Sequence, residues 1–86
     1  MHRTTPQFWK YFDELPASVQ SVAKKNFELL KLDSMHPSLH FKKIGKFWSI
    51  RAGSNHRALA TEDGVDYVWV WIGAHDEYQR IIKEMA

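Results

Sequence analysis

The sequence predicts an α+β fold: an N-terminal helical hairpin packed on a twisted antiparallel sheet of three to four strands, followed by a short C-terminal helix. Three observations predict it. Apolar residues recur at helical spacing as far as residue 31, alternate in short runs bounded by turn residues from residue 39 to 72, and return to helical spacing at Tyr78. All 86 residues then belong to one domain, a length with no room for separate cofactor and substrate domains.

Each element has its own signal. Thr5 before Pro6 reads as an N-cap followed by proline at the first helical position, where the missing N–H costs nothing. Phe8, Tyr11, Phe12 and Leu15 then share a helix face, and Pro16 stops the run because the residue before a proline is driven from the helical region. A second helix over about residues 18–31 carries Val19, Val22, Ala23, Asn26, Phe27 and Leu30 as its stripe. After a turn over residues 33–37, Leu39 and Phe41 alternate with His40 and Lys42, which predicts a strand. Gly45-Lys46 has glycine at the first central position of a type II′ hairpin turn.

The next strand, residues 47–52, puts Trp48, Ile50 and Ala52 on one face and Phe47, Ser49 and Arg51 on the other. Gly53-Ser54-Asn55 turns the chain into a strand over residues 56–61, with Arg57, Leu59 and Thr61 opposite His56, Ala58 and Ala60. Glu62-Asp63-Gly64 turns it again. Residues 65–72 are aromatic and β-branched on both faces, Tyr67, Trp69 and Trp71 opposing Val68, Val70 and Ile72, as expected of a strand inside the sheet. Asp76 reads as the N-cap of a last helix with Tyr78, Ile81, Ile82 and Met85 on its apolar stripe. Met1 to Thr5 is short and polar, and a strand there is hard to see, so it is either lacking or truncated.

Composition removes several function classes. A hydrophobic share of 44% against 26% charged residues suits a folded chain rather than a disordered one. The absence of cysteine removes disulfides, thiolate nucleophiles and Cys-ligated zinc. The longest apolar run, residues 68–73, is far short of the roughly 20 residues that span a bilayer. Arg3 is followed by no apolar stretch of signal-peptide type, so a cytoplasmic protein with no membrane partner is expected. No Gly-rich phosphate loop, Ser-His-Asp arrangement or close carboxylate pair is present, which sets aside kinase, dinucleotide and glycosidase chemistry. His36 and His40 are four apart, but Pro37 intervenes, and neither a metal site nor a cofactor is expected.

Charge distribution is more informative than the net charge of +2. Between Asp33 and Glu62 no acidic residue occurs, yet Lys42, Lys43, Lys46, Arg51 and Arg57 all do. On neighbouring strands these five cations share one surface, which raises the local potential and attracts phosphate; the bland alternative is a solvated basic face. If the Gly53-to-Asn55 turn sets Arg51 opposite Arg57, two guanidinium groups on one face can grip a phosphate. A register slip of one residue sends Arg51 to the other face. His75 can move a proton near neutral pH, and Tyr78 can donate a hydrogen bond or stack on a base, or simply belong to the core. Of Trp48, Trp69 and Trp71, at least two are expected to be structural.

The order helix, Leu15-Pro16, helix, Pro37-Ser38-Leu39-His40-Phe41-Lys42-Lys43-Ile44, Phe47-Trp48-Ser49-Ile50-Arg51, His56-Arg57-Ala58-Leu59 and Trp71-Ile72-Gly73-Ala74-His75-Asp76-Glu77-Tyr78 resembles the RelE/ParE superfamily of bacterial type II toxins over nearly the whole chain. The resemblance implies a toxin neutralised by a cognate antitoxin. RelE-like members enter the ribosomal A site and cleave mRNA without metal, by attack of a 2′-hydroxyl on the adjacent phosphate. Carried over by position, Arg57 stabilises the phosphate, His75 moves a proton and Tyr78 stacks or donates, making these three the catalytic candidates. Lys42, Lys43, Lys46 and Arg51 hold the RNA backbone. Members with a glutamate base have it in the stretch that here reads Pro37-Ser38-Leu39, where there is no acid; either His75 or a lysine takes that task, or cleavage is lost. ParE-like members poison DNA gyrase and need none of these residues, and a non-toxic member that only binds antitoxin or nucleic acid is the third alternative.

Overall fold

The structure, a computed structural model, describes residues 1–85. The side chain of Met85, expected on the apolar stripe of the last helix, lies outside the described residues. The elements run β1 (His2–Thr4), α1 (Pro6–Asp13), α2 (Ala17–Leu32), a 3-10 turn (Pro37–Leu39), β2 (Lys42–Ile44), β3 (Phe47–Gly53), β4 (His56–Asp63), β5 (Asp66–Ala74) and α3 (His75–Met85). The strands form one five-stranded sheet in the order β1-β5-β4-β3-β2. The α+β class and the helical hairpin are as expected, and the sheet is larger.

The additional strand is β1, and it makes the sheet mixed, because it runs parallel to β5 with His2 opposite Tyr67 and Thr4 opposite Trp69. Its sequence carries no strand signal since side chains, not an apolar stripe, anchor it. The His2 ring stacks on Tyr67 at 5.1 Å and accepts a hydrogen bond at Nδ1 from Trp69 Nε1 at 3.0 Å. Arg3 pairs with Asp63 and, at 3.3 Å, with Asp66.

The helices start and stop where local chemistry directs. Thr5 Oγ1 accepts from Phe8 N at 3.1 Å, so the N-cap is made by the residue expected to make it. Gln20 Nε2 donates to the carbonyls of Phe12 and Leu15, tying the α1–α2 corner together. Phe8, Phe12, Ala23 and Leu30 of the helices close over Ile50, Ala52, Ala58, Ala60 and Trp69 of the sheet, forming the core. Three alanines on the covered face leave space for α1 and α2 to approach, and Trp69, fully buried, fills the middle.

Two backbone irregularities depart from simple alternation. Leu39-His40-Phe41 is not a strand: Pro37–Leu39 is a 3-10 turn capped by the His36 side chain, His40 is left-handed, and pairing begins at Lys42. On β5 the register passes from Leu59 opposite Trp71 to Ala60 opposite Trp69, so Val70 is the extra residue of a bulge. The bulge separates Trp71 from the row of Tyr67 and Trp69 that strict alternation predicts.

Truncating the central ring tests the core. Trp69→Ala is expected to cost about 3 to 5 kcal/mol, read by urea denaturation. A second prediction concerns pH. Burial first, then the N-terminal ammonium and Lys31, hold the His2 imidazole below its ordinary value, favouring the neutral ring that accepts from Trp69. The unfolded chain therefore takes up this proton before the folded one does, so the contribution is complete above about pH 6.5 and is lost as pH falls below it. Between about pH 7.5 and 5.5 the urea midpoint of the wild type should fall further than that of His2→Asn.

Candidate active site

The sheet face away from α1 and α2 carries the polar residues. Strand register builds it row by row: Lys42 lies opposite Ser49, Ser49 opposite Leu59, and Arg51 directly opposite Arg57, which in turn lies opposite Gly73. Opposed residues of antiparallel strands share a face, so Arg51 and Arg57 project to the same side. Gly73 stands in this row beneath the Trp71 indole. A Cβ there would stand 2.5 Å from Trp71 Cζ2.

Helix α3 leaves β5 without a loop, and the His75 N–H donates to Asn55 O at 2.9 Å, pinning the start of α3 to the β3–β4 turn. Asp76, expected as the N-cap, instead lies inside the first helical turn with Glu77. The helix then crosses the polar face. Tyr78, 7% exposed, takes a hydrogen bond from Ser49 Oγ at 3.2 Å on its phenol oxygen, leaving its own O–H to donate elsewhere. Between helix and sheet lies a cleft of about 550 Å³ lined by His40, Lys42, Ile44, Ser49, Arg57, His75, Tyr78, Gln79, Ile82 and Lys83. No carboxylate is among these residues, and Lys42, Arg57 and Lys83 form no ion pair among the described residues.

The Arg57 side chain is oriented by two backbone carbonyls. Its Nη1 donates to the carbonyls of His56 at 2.8 Å and Gly53 at 3.4 Å, which fixes the plane of the guanidinium. Its Nε and Nη2 donors have no partner among the described residues, and this fork matches two phosphate oxygens. Burial first, then the charge of Arg51, lower its pKa from the ordinary arginine value, while Tyr78 acts the other way. A partly desolvated cation beside another cation gains most from an incoming anion. The His75 and Tyr78 rings lie 5.7 Å apart, and His75 Nε2 lies 3.4 Å from Gln79 Nε2.

The structure thus brings together Arg57, His75, Tyr78 and Lys42 among the residues singled out from sequence. Arg51 stands beside Arg57 but does not line the cleft; its carbonyl accepts from Asn26 Nδ2 at 2.8 Å, which ties β3 to α2. Lys43 is on the other face, opposite Trp48, where Glu62 binds both side chains, at 3.2 Å in the case of Lys43. Those two donors, the Trp48 indole first, hold the Glu62 carboxyl below its usual range. Lys46 is exposed at the β2–β3 hairpin tip, outside the cleft. Sequence reasoning missed Gln79 and Lys83, although positions 75, 78, 79, 82 and 83 follow helical spacing and so were legible. It also missed His40, whose approach depends on a left-handed backbone with no strong sequence signal.

Removing the Ser49 hydroxyl tests how firmly Tyr78 is held. Ser49→Ala is expected to lower stability by about 1 kcal/mol, measured by urea denaturation.

No protein-family model matches this chain, and no curated protein matches it in sequence. Solved structures do share its fold. A chain of the RelB–RelE antitoxin–toxin complex from Methanococcus jannaschii superposes with a TM-score of 0.72 at 17% identity, covering 92% of this chain and 96% of that one. The toxin–antitoxin complex RelBE2 from Mycobacterium tuberculosis gives 0.64 at 15% identity, with 86% and 95% covered. The isolated E. coli RelE toxin gives 0.62 at 13% identity, with 100% and 98% covered. The sheet that positions Arg57 and the helix that carries His75 and Tyr78 therefore belong to a chain with the RelE-type fold.

Proposed function

We propose that this protein is a toxin of a toxin–antitoxin pair, an endonuclease that cuts mRNA on the ribosome and is held inactive by a cognate antitoxin. The observation that carries the reading is the acid-free cleft in which the free Nε and Nη2 donors of Arg57 lie among His75, Tyr78 and Lys42. A phosphodiester brings charge that Arg57 can bind, and cleavage adds charge on its equatorial oxygens that Arg57 can stabilise further. Tyr78, with its oxygen already occupied by Ser49, donates toward the substrate, and His75 supplies a proton-transfer group. Lys42 contacts the backbone of the strand. A gyrase inhibitor has no need of such a convergence. The structural neighbours from M. jannaschii and M. tuberculosis are antitoxin–toxin complexes, which supports an antitoxin as partner.

Primer extension on cellular mRNA after induction should show new 5′ ends inside translated codons; growth arrest without them contradicts the proposal. Arg57→Ala should abolish these cuts and toxicity while thermal unfolding shifts little, since loss of the bonds to the His56 and Gly53 carbonyls is offset by relief of the repulsion from Arg51. The two adjacent lysines provide an internal contrast. Lys42→Ala should weaken binding of a short single-stranded RNA and reduce the salt slope by about one, whereas Lys43→Ala should leave both unchanged.

A further inference from the structure

His40 is the one residue of the cleft explained neither by a strand face nor by a helix face. It follows the 3-10 turn with φ +48° and ψ +43°, and it is the only non-glycine residue at positive φ among the described residues. Histidine enters that region more readily than most residues, yet at a cost relative to glycine. The turn does not use the ring. Its backbone N–H alone closes onto Pro37 O, at 3.3 Å, and the imidazole makes no hydrogen bond among the described residues. What the left-handed bend achieves is to place that free imidazole in the cleft wall, among Lys42 of β2, Arg57 of β4, and His75, Tyr78 and Lys83 of α3.

The cleft therefore holds two imidazoles delivered by separate segments, one from the loop before β2 and one from the start of α3. General acid–base catalysis of in-line cleavage uses two proton-transfer groups, an acceptor and a donor, because the attacking and leaving oxygens lie on opposite sides of phosphorus. His75 sits next to Tyr78 and Gln79, whereas His40 is unengaged. Resting on the endonuclease reading, we infer that His40 is the general base of the reaction, the task for which this chain has no glutamate. Neutral His40 takes the proton of the 2′-hydroxyl as the 2′-oxygen bonds to phosphorus. The bond from phosphorus to the 5′-oxygen breaks, and that oxygen receives a proton from protonated His75. The products are a 2′,3′-cyclic phosphate and a 5′-hydroxyl; protons balance, with one gained by His40 and one given by His75.

The test is a purified ribosome assay on a defined mRNA with two variants that tolerate the left-handed backbone. His40→Asn keeps the turn but takes up no proton in the working range, and His40→Gly keeps the turn and leaves a space. Both should fold with unchanged circular dichroism and thermal midpoint. His40→Asn should cut about 100-fold or more slowly, and the rising limb of the wild-type pH profile should disappear. His40→Gly should be as slow, and added imidazole should restore its cutting. A His40→Asn protein that cuts at the wild-type rate with the same rising limb overturns the assignment while leaving the endonuclease reading in place. Slow variants that imidazole does not restore give His40 a structural role and overturn it as well. A wild-type protein that leaves the mRNA intact overturns both.

Discussion

Everything in the site depends on Arg51 and Arg57 being set directly across from each other on one face of the sheet. Like charges opposed in this way destabilise a strand pair, and no carboxylate lines the cleft beside them. The arrangement holds because the opposite face of the same strands is apolar. Ile50, Ala52, Ala58 and Ala60 lie fully buried beneath α1 and α2, and a slip of one strand by one residue would bring its arginine into that core. The irregularity between Arg51 and Gly53 lies in the β3–β4 ladder and the Val70 bulge in the middle of the β4–β5 ladder, and each limits alternative registers. Packing on one side of the sheet thus enforces an electrostatically costly arrangement on the other.

Helix α3 converts this cationic face into a cleft. Its first N–H bonds to Asn55, so its position follows that of the β3–β4 turn, and the Ser49–Tyr78 bond fixes it again over β3. The side chains that line the cleft come from five chain segments: the loop before β2, β2, β3, β4 and α3. No segment alone contains a site. Lys42 and Arg57, distant in sequence, meet in the cleft because β2, β3 and β4 pair antiparallel.

Much of this was legible beforehand, for identifiable reasons. Thr5-Pro6 specifies a cap by short-range chemistry, Pro16 specifies a break, and a short turn at Ser54-Asn55 leaves few choices for what opposes Arg51. The assignment of Lys42 rather than Lys43 to the cleft could also have been derived. A two-residue turn at Gly45-Lys46 pairs Ile44 with Phe47 and therefore Lys42 with Ser49, which shares a face with Arg51. What escaped was structure held by interactions between distant segments. Strand β1 consists of polar residues anchored by Tyr67, Trp69, Asp63 and Asp66, and the Val70 bulge depends on what packs around β5. His40 escaped because alternation of Leu39 and Phe41 mimics a strand, while the backbone there forms a 3-10 turn closed by a left-handed residue.

We propose that the hollow between α3 and the sheet receives a phosphodiester on Arg57. Titration of the isotope-labelled protein with a short 2′-O-methyl RNA, which cannot be cleaved, measures this most directly. The Arg57 Nε resonance and the ring signals of His40, His75 and Tyr78 should shift together along one binding curve, while Lys43 and Glu62 on the other face stay still. Shifts confined to the Lys43 face, or an Arg57 Nε signal that does not move at saturation, would contradict it.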